Sequence, residues 1–285
     1  MDRPVVVGTD GSPSAWAAVE WAAADARARR VPLCIVHAMH VGRYVRGWPA
    51  VLPPRDLLRQ AGERILTEAV AFVRDSYPGL SVSGALSPSS APAALGERSQ
   101  DAFEVVVGHP GHGRLADLMF GSVGLEASGH CPVVIVHGEP RPRCERIVVA
   151  VDLATDSSAR LAYAFQTAAA YRCRLCALHV VPLSRVLDQP PEREAAPLLD
   201  GARDALQRSL APWSVSFPSV RTQAEMVQGV VTSALIDASL EADLLVIGGP
   251  MPAESPAIEI RWSLRDLVSR AHCPLVLVGL GPGAF

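Results

Sequence analysis

Short continuous apolar runs alternate along this chain with longer amphipathic stretches. In the first half the runs are Val5–Gly8, Leu33–Met39, Leu80–Leu86, Val105–Gly108 and Val133–Val136. Runs of that length without polar alternation predict strands covered on both faces of a sheet. Between the first two, Ser12 is a good N-cap and Pro13 a good first helical residue. The helix they open is predicted to reach Arg30, with Trp16, Val19 and Ala23 on one face. Residues 41–53 are rich in Gly and Pro and read as a loop, a second helix spans Pro54–Ser76, a short one starts at Ala91, and another starts at Ser122. Strands that alternate with helices predict an α/β fold with a mostly parallel sheet and right-handed crossovers. In such sheets ligands sit outside the carboxyl ends of the strands, where the strand order reverses. Asp10, Ala38 and Gly108 fall at those ends and are expected to converge there.

The second half repeats the first at a constant offset. Asp10 matches Asp152 (152 − 10 = 142), His37 matches His179 (179 − 37 = 142), and His130-Cys-Pro132 matches His272-Cys-Pro274 (272 − 130 = 142). A constant offset at both ends implies one ancestral domain in tandem. The expected domains are residues 1–138 and 146–285, joined by a linker at 139–145 whose Pro140, Arg141, Pro142 and Arg143 suit an exposed, stiff connection.

The chemistry-bearing pattern is Gly108-x2-Gly111-x9-Gly121-Ser122, which follows the strand run Phe103–Val107 and opens onto the helix from Ser122. Glycines let the backbone approach a ligand, and N–H groups at a helix start favour negative charge, so the pattern suits phosphate. Every one of the 26 basic residues is arginine. A phosphate loop of the Walker type needs its lysine, so that class is excluded, as is Schiff-base chemistry. With 49% hydrophobic and 19% charged residues the chain can build buried cores, and a net charge of −3 makes nucleic acid an unsuitable partner. No signal peptide or apolar run of membrane-spanning length is read, so a cytoplasmic, reduced protein is expected.

The opening Pro4-Val-Val-Val-Gly-Thr-Asp-Gly-Ser-Pro-Ser14, the glycine loop at 108–124 and His130-Cys-Pro-Val-Val-Ile-Val136 together resemble the universal stress protein family in its ATP-binding branch. The resemblance covers the whole chain as two copies. It implies two open parallel-sheet domains, Rossmann-like and akin to the adenine nucleotide alpha hydrolases, with five strands each. It also implies ATP as ligand, with or without Mg2+. Gly108, Gly111, Gly121 and Ser122 would then meet the triphosphate and ribose. Asp10 would lie near the ribose and adenine, with Ala38 against the adenine and Val107 lining the same pocket. By the same resemblance the last strands of the domains pair, and two chains form a homodimer with a protein partner still to be named.

The chain departs from the family pattern in two places. His109, Pro110 and His112 stand where small or arginine residues are usual, so the two histidines are read either as phosphate or divalent-ion contacts or as exposed loop residues. In the second half Ser263 replaces Gly121 and Leu264 replaces Ser122. The loop is also longer: Gly248 to Cys273 spans 25, Gly108 to Cys131 spans 23. Glu254, Glu259 and Trp262 add charge and bulk there, so this half is expected to bind ATP poorly. Asp10 retains the alternative of a turn residue beside Gly11-Ser12. Cys173-x2-Cys176 has metal or redox spacing but no second pair, and is read chiefly as two cysteines in different environments. Three functions follow: an ATP-binding stress or signalling module, a slow ATPase or phosphotransferase using Asp10 and His112, or a structural interaction protein.

Overall fold

The computed structural model describes residues 3–39, 55–109, 130–137, 145–182, 195–248 and 266–279, without the side chains of 182 and 195–199. The chain divides into two compact units, Met1–Pro140 and Arg141–Phe285. The first contains β1 (Val5–Gly8), α1 (Pro13–Arg29), β2 (Leu33–Ala38), α2 (Arg55–Ser76), β3 (Val82–Ser87), α3 (Ala91–Ser99), β4 (Glu104–Gly108) and β5 (Val133–Val136). The second contains β6 (Arg146–Ala150), α4 (Ser158–Tyr171), β7 (Arg174–Pro182), α5 (Ala195–Ser216), β8 (Thr222–Gly229), α6 (Val231–Ser239), β9 (Leu244–Gly248) and β10 (Leu275–Val278). The helix expected from Ser122, the loop at 41–53 and most of the linker lie outside the described residues.

Within the first unit the strand order is β3-β2-β1-β4-β5, and every described pairing is parallel. The second unit has the matching order β8-β7-β6-β9-β10, again parallel. The chain leaves β1 toward β2 and β3, then returns to the other side for β4 and β5. The reversal therefore falls between β1 and β4, and between β6 and β9. Val5, Val6 and Val7 are at most 1% exposed. Three successive residues can all be buried only where both faces of the sheet are covered. Helix α1 packs on β1 and β4, α2 on β2 and β3, and α3 on β1 and β2. The outer strands β3 and β8 are half-exposed and polar in sequence, as a sheet edge requires.

Helix α1 starts as its sequence predicts: Ser12 has extended backbone and its hydroxyl accepts from the Ala15 N–H at 3.3 Å, with Pro13 following. Its inner face is alanine-rich, with Ala18, Val19, Ala22, Ala23 and Ala26 fully buried, and small side chains let it lie close to the sheet. Trp16 lies off that face and meets Phe72 of α2 edge-on at 5.7 Å. The helix closes on Arg30 in the left-handed region (φ 62), and α4 closes the same way on Arg172 (φ 55). The offset is again 172 − 30 = 142, so an unfavourable cap is retained at both copies of one position.

Candidate crevice at the strand carboxyl ends

In the first unit the crevice is built by the loop from β1 to α1. The Thr9 N–H donates to the Val36 carbonyl at 2.9 Å, which holds the chain on the sheet one residue past β1. The Thr9 carbonyl accepts from His37 Nδ1 at 2.8 Å, so this imidazole carries its proton on Nδ1. The Asp10 side chain is exposed, and its Oδ1 accepts the Ser12 N–H at 2.9 Å. Gly11 takes φ +80, a conformation that suits glycine, and lets the chain turn into α1. The turn reading of Asp10 therefore describes half of its carboxylate; among the described residues no hydrogen bond reaches Oδ2.

Strand β4 brings the other wall. Val7 is level with Val106 across β1 and β4, which sets Val107 and Gly108 beside Gly8 and Thr9. Gly8 itself is level with Val36, which sets Ala38 beside Asp10. Val107 is buried at 5% exposure, while Ala38 and Gly108 are half-buried. A Cβ on Gly108 would overlap the backbone carbonyl of Ser14. Glycine here admits the first turn of α1, so the space its missing side chain opens is taken by the protein's own helix. That first turn has no acidic residue, and its positive end sits at the strand reversal. Asp10, Ala38, Val107 and Gly108 thus end neighbouring strands on one edge. Gly111, Gly121, Ser122, Pro110, His112 and Arg114 lie outside the described residues.

His109 follows β4 and is half-buried. Its ring stacks on that of His137, at 5.0 Å between centroids and 20° between planes, and its N–H donates to the Val136 carbonyl at 2.8 Å. The exposed-loop reading of His109 is corrected: parallel pairing of β4 with β5 brings the residue after each strand into contact. The contacts of His137, His37 and Ser14 escaped the sequence reading because each acts through a partner distant in sequence.

The second unit keeps the scaffold and changes the contents. His179 Nδ1 donates to the Val151 carbonyl at 2.8 Å, the copy of the His37 contact. Asp152 Oδ1 accepts the Ala154 N–H at 2.9 Å and Oδ2 accepts the Thr155 hydroxyl at 3.2 Å. Arg160, from the first turn of α4, runs into the crevice and is only 7% exposed. Its Nη1 donates to the Ala150 carbonyl at 3.3 Å. Its Nη2 donates to Thr155 Oγ1 at 3.2 Å, the Asp156 carbonyl at 3.0 Å and Ser157 Oγ at 2.8 Å. Ser157 Oγ is thereby engaged, donates to the Asp152 carbonyl at 3.3 Å, and does not cap α4. Burial pulls the Arg160 pKa below its ordinary value, and the negative charges of Asp152 and Asp156 oppose that shift.

Among the described cysteines, Cys34, Cys131, Cys176 and Cys273 belong to the cores. Cys176 is buried and accepts from Arg146 Nη2 at 3.2 Å, while Arg146 also pairs with Glu225 at 2.7 Å and Glu241 at 3.2 Å. Burial, with Glu225 nearby, pushes the Cys176 thiol up to about 11. Burial, helped by Glu104, pushes Cys131 up to about 12. Cys173 is half-buried, so the CxxC pair does occupy two environments. Among the described residues no group of three or more His, Cys, Asp or Glu side chains is assembled for a metal, and no helix is long and apolar enough to cross a membrane.

Comparison with known proteins matches this geometry. A profile of the universal stress protein family fits residues 1–137 and again 144–279. The chain is 34% identical over 262 residues to universal stress protein Rv2623 of Mycobacterium tuberculosis, covering 86% of this chain and 85% of that protein. It is 30% identical over 256 residues to universal stress protein Rv2005c of the same organism, covering 86% of each. The crystal structure of a universal stress protein from Archaeoglobus fulgidus superposes with a TM-score of 0.68 at 14% identity, over 98% of this chain and 96% of that one. At that identity the likeness is one of fold.

Proposed function

The chain belongs to the universal stress protein family, and from that premise we propose that it is an ATP-binding regulatory protein in which the first unit alone holds the nucleotide. The observation that carries the reading is the edge formed by Asp10, Ala38, Val107 and Gly108 at the strand reversal, with the uncharged first turn of α1 against it. Each part fits a piece of ATP. Asp10 Oδ2 is available to a ribose hydroxyl, since Oδ1 is already spent on Ser12. Ala38 and Val107 offer apolar surface to adenine. The glycine loop through Gly111, Gly121 and Ser122, assigned by the family pattern, takes the phosphates, and Mg2+ would arrive with them. Nucleotide occupancy then biases affinity for a protein partner or for a second copy of the chain.

The test is native purification, denaturation and mass spectrometry of released nucleotide, followed by calorimetric titration. About one ATP per chain is expected, intact after prolonged incubation. Asp10→Ala should weaken ATP roughly tenfold, about 1.4 kcal/mol, while Asp152→Ala leaves it unchanged. No binding at any concentration tested defeats the proposal. Two equivalent sites per chain defeat its restriction to the first unit, and sustained phosphate release above blank, lost in Asp10→Ala, replaces holding with turnover. Light scattering with and without ATP reads the regulatory step; a mass and partner affinity indifferent to ATP argue against it.

A further inference from the structure

We propose that Arg160 is a resident occupant of the second unit's crevice, a guanidinium that fills and braces from within the chain the space between the ends of β6 and β9. In the first unit the backbone of α1 lies directly on Gly108, so closely that a Cβ would overlap the Ser14 carbonyl. In the second unit a Cβ on Gly248 would instead meet Arg160, at 3.4 Å from Nη1 and 3.6 Å from Cδ and Cζ. A side chain has been interposed between helix and strand end at the matching place. It is not a surface arginine folded back: 7% of it is exposed, and its four hydrogen bonds all go to the loop and strand end that frame the crevice.

Those bonds explain why the residue excludes a ligand rather than recruiting one. A guanidinium has five N–H donors. Both terminal nitrogens are turned inward onto Ala150, Thr155, Asp156 and Ser157. Nε is buried and, among the described residues, has no partner, so this donor too faces protein and not solvent. The charge is balanced at longer range by Asp152 and Asp156, and among the described residues no carboxylate forms an ion pair with it. An incoming phosphate would have to displace four internal bonds and approach two carboxylates. The loop 151–157, which in the first unit is replaced by the shorter turn at Thr9–Ser12, is held by this side chain through three successive residues. Occupancy by Arg160 stands whatever the first unit binds; only the comparison with a nucleotide crevice rests on the function proposed above.

Hydrogen–deuterium exchange on the full chain tests it. In the wild type, neither ATP nor inorganic phosphate should alter exchange at 151–157, because the crevice is already filled. Arg160→Ala should speed exchange there roughly tenfold. Low-millimolar methylguanidinium should restore protection to that variant, whereas ATP should not. Arg160→Met, which keeps the bulk without the donors, should exchange as fast as the alanine variant and gain nothing from methylguanidinium. Protection of wild-type 151–157 by ATP or phosphate overturns the proposal, and that arm needs no variant to fold. Unchanged exchange in Arg160→Ala overturns it too. If ATP leaves residues 9–15 unprotected in the wild type, the first-unit reading fails while the Arg160 result keeps its meaning.

Discussion

A glycine that ends a strand beside a helix can be there for a ligand or for the helix, and Gly108 and Gly248 separate these causes. At Gly108 the obstacle to a side chain is the backbone of α1, which cannot step aside without moving the helix. At Gly248 it is the end of Arg160, which lies in ordinary contact distance. Gly108→Ala should therefore destabilise the protein by about 1–3 kcal/mol through overpacking, and Gly248→Ala by less than about 1 kcal/mol. Urea midpoints of the two variants check this; equal losses would mean that α1 is not seated on Gly108 as described. The glycine pattern was legible in sequence, but the contact that requires its first member was not, because Ser14 is remote from Gly108 in the chain.

At the scale of elements, the β1–α1 and β6–α4 connections share one device. His37 and His179 sit at matched positions on β2 and β7, and each donates from Nδ1 at 2.8 Å to the residue after the neighbouring strand. Loss of such a half-buried ring and its bond should cost about 1–3 kcal/mol in either unit. Only His37 braces the turn that carries Asp10. His37→Ala should therefore weaken ATP binding roughly tenfold, while His179→Ala, at a similar cost in stability, leaves it unchanged. Equal effects of both on affinity would reduce the contact to general stability; His37→Asn, which can still donate to the Thr9 carbonyl, should recover part of the binding. The repeat offset pointed to both histidines without revealing their role. The 3.3 Å Ser12 cap and the Pro13 start of α1 were read correctly because capping is local. The uncapped start of α4 was not foreseen, since it depends on Ser157 Oγ being held by the Arg160 guanidinium and the Asp152 carbonyl, contacts that only the folded loop shows.

For the whole molecule, pH couples to folding through thiols in both units. Cys131 and Cys176 rise to about 12 and about 11 in the folded state, against 9.0 for an unburdened thiol. A raised pKa means the folded chain holds its proton more tightly than the unfolded one. The associated stability is fully present below about pH 9 and is lost as pH climbs through 9 toward the folded values. Urea midpoints should fall between pH 8 and pH 10.5, and the double variant Cys131→Ala, Cys176→Ala should show a shallower fall over that range. A slope that the double variant leaves unchanged would place the titration elsewhere. Both native thiols should also resist alkylation at pH 8.

The α/β class, the tandem repeat and the family were all written in local and periodic features: apolar runs, caps, a 142-residue offset and a spaced glycine motif. Such features survive in sequence because each is satisfied by neighbours along the chain or by burial of a whole run. The contents of the two crevices were decided by the fold. Parallel strands bring residues from distant parts of the chain to one edge, and there a single charge in the first turn of α4 meets the end of β9. In sequence Arg160 is one arginine opening an otherwise apolar helical stretch. Only packing against Ala150, Thr155, Ser157 and Gly248 turns it into the occupant of a crevice, because its burial depends on which surfaces close over it.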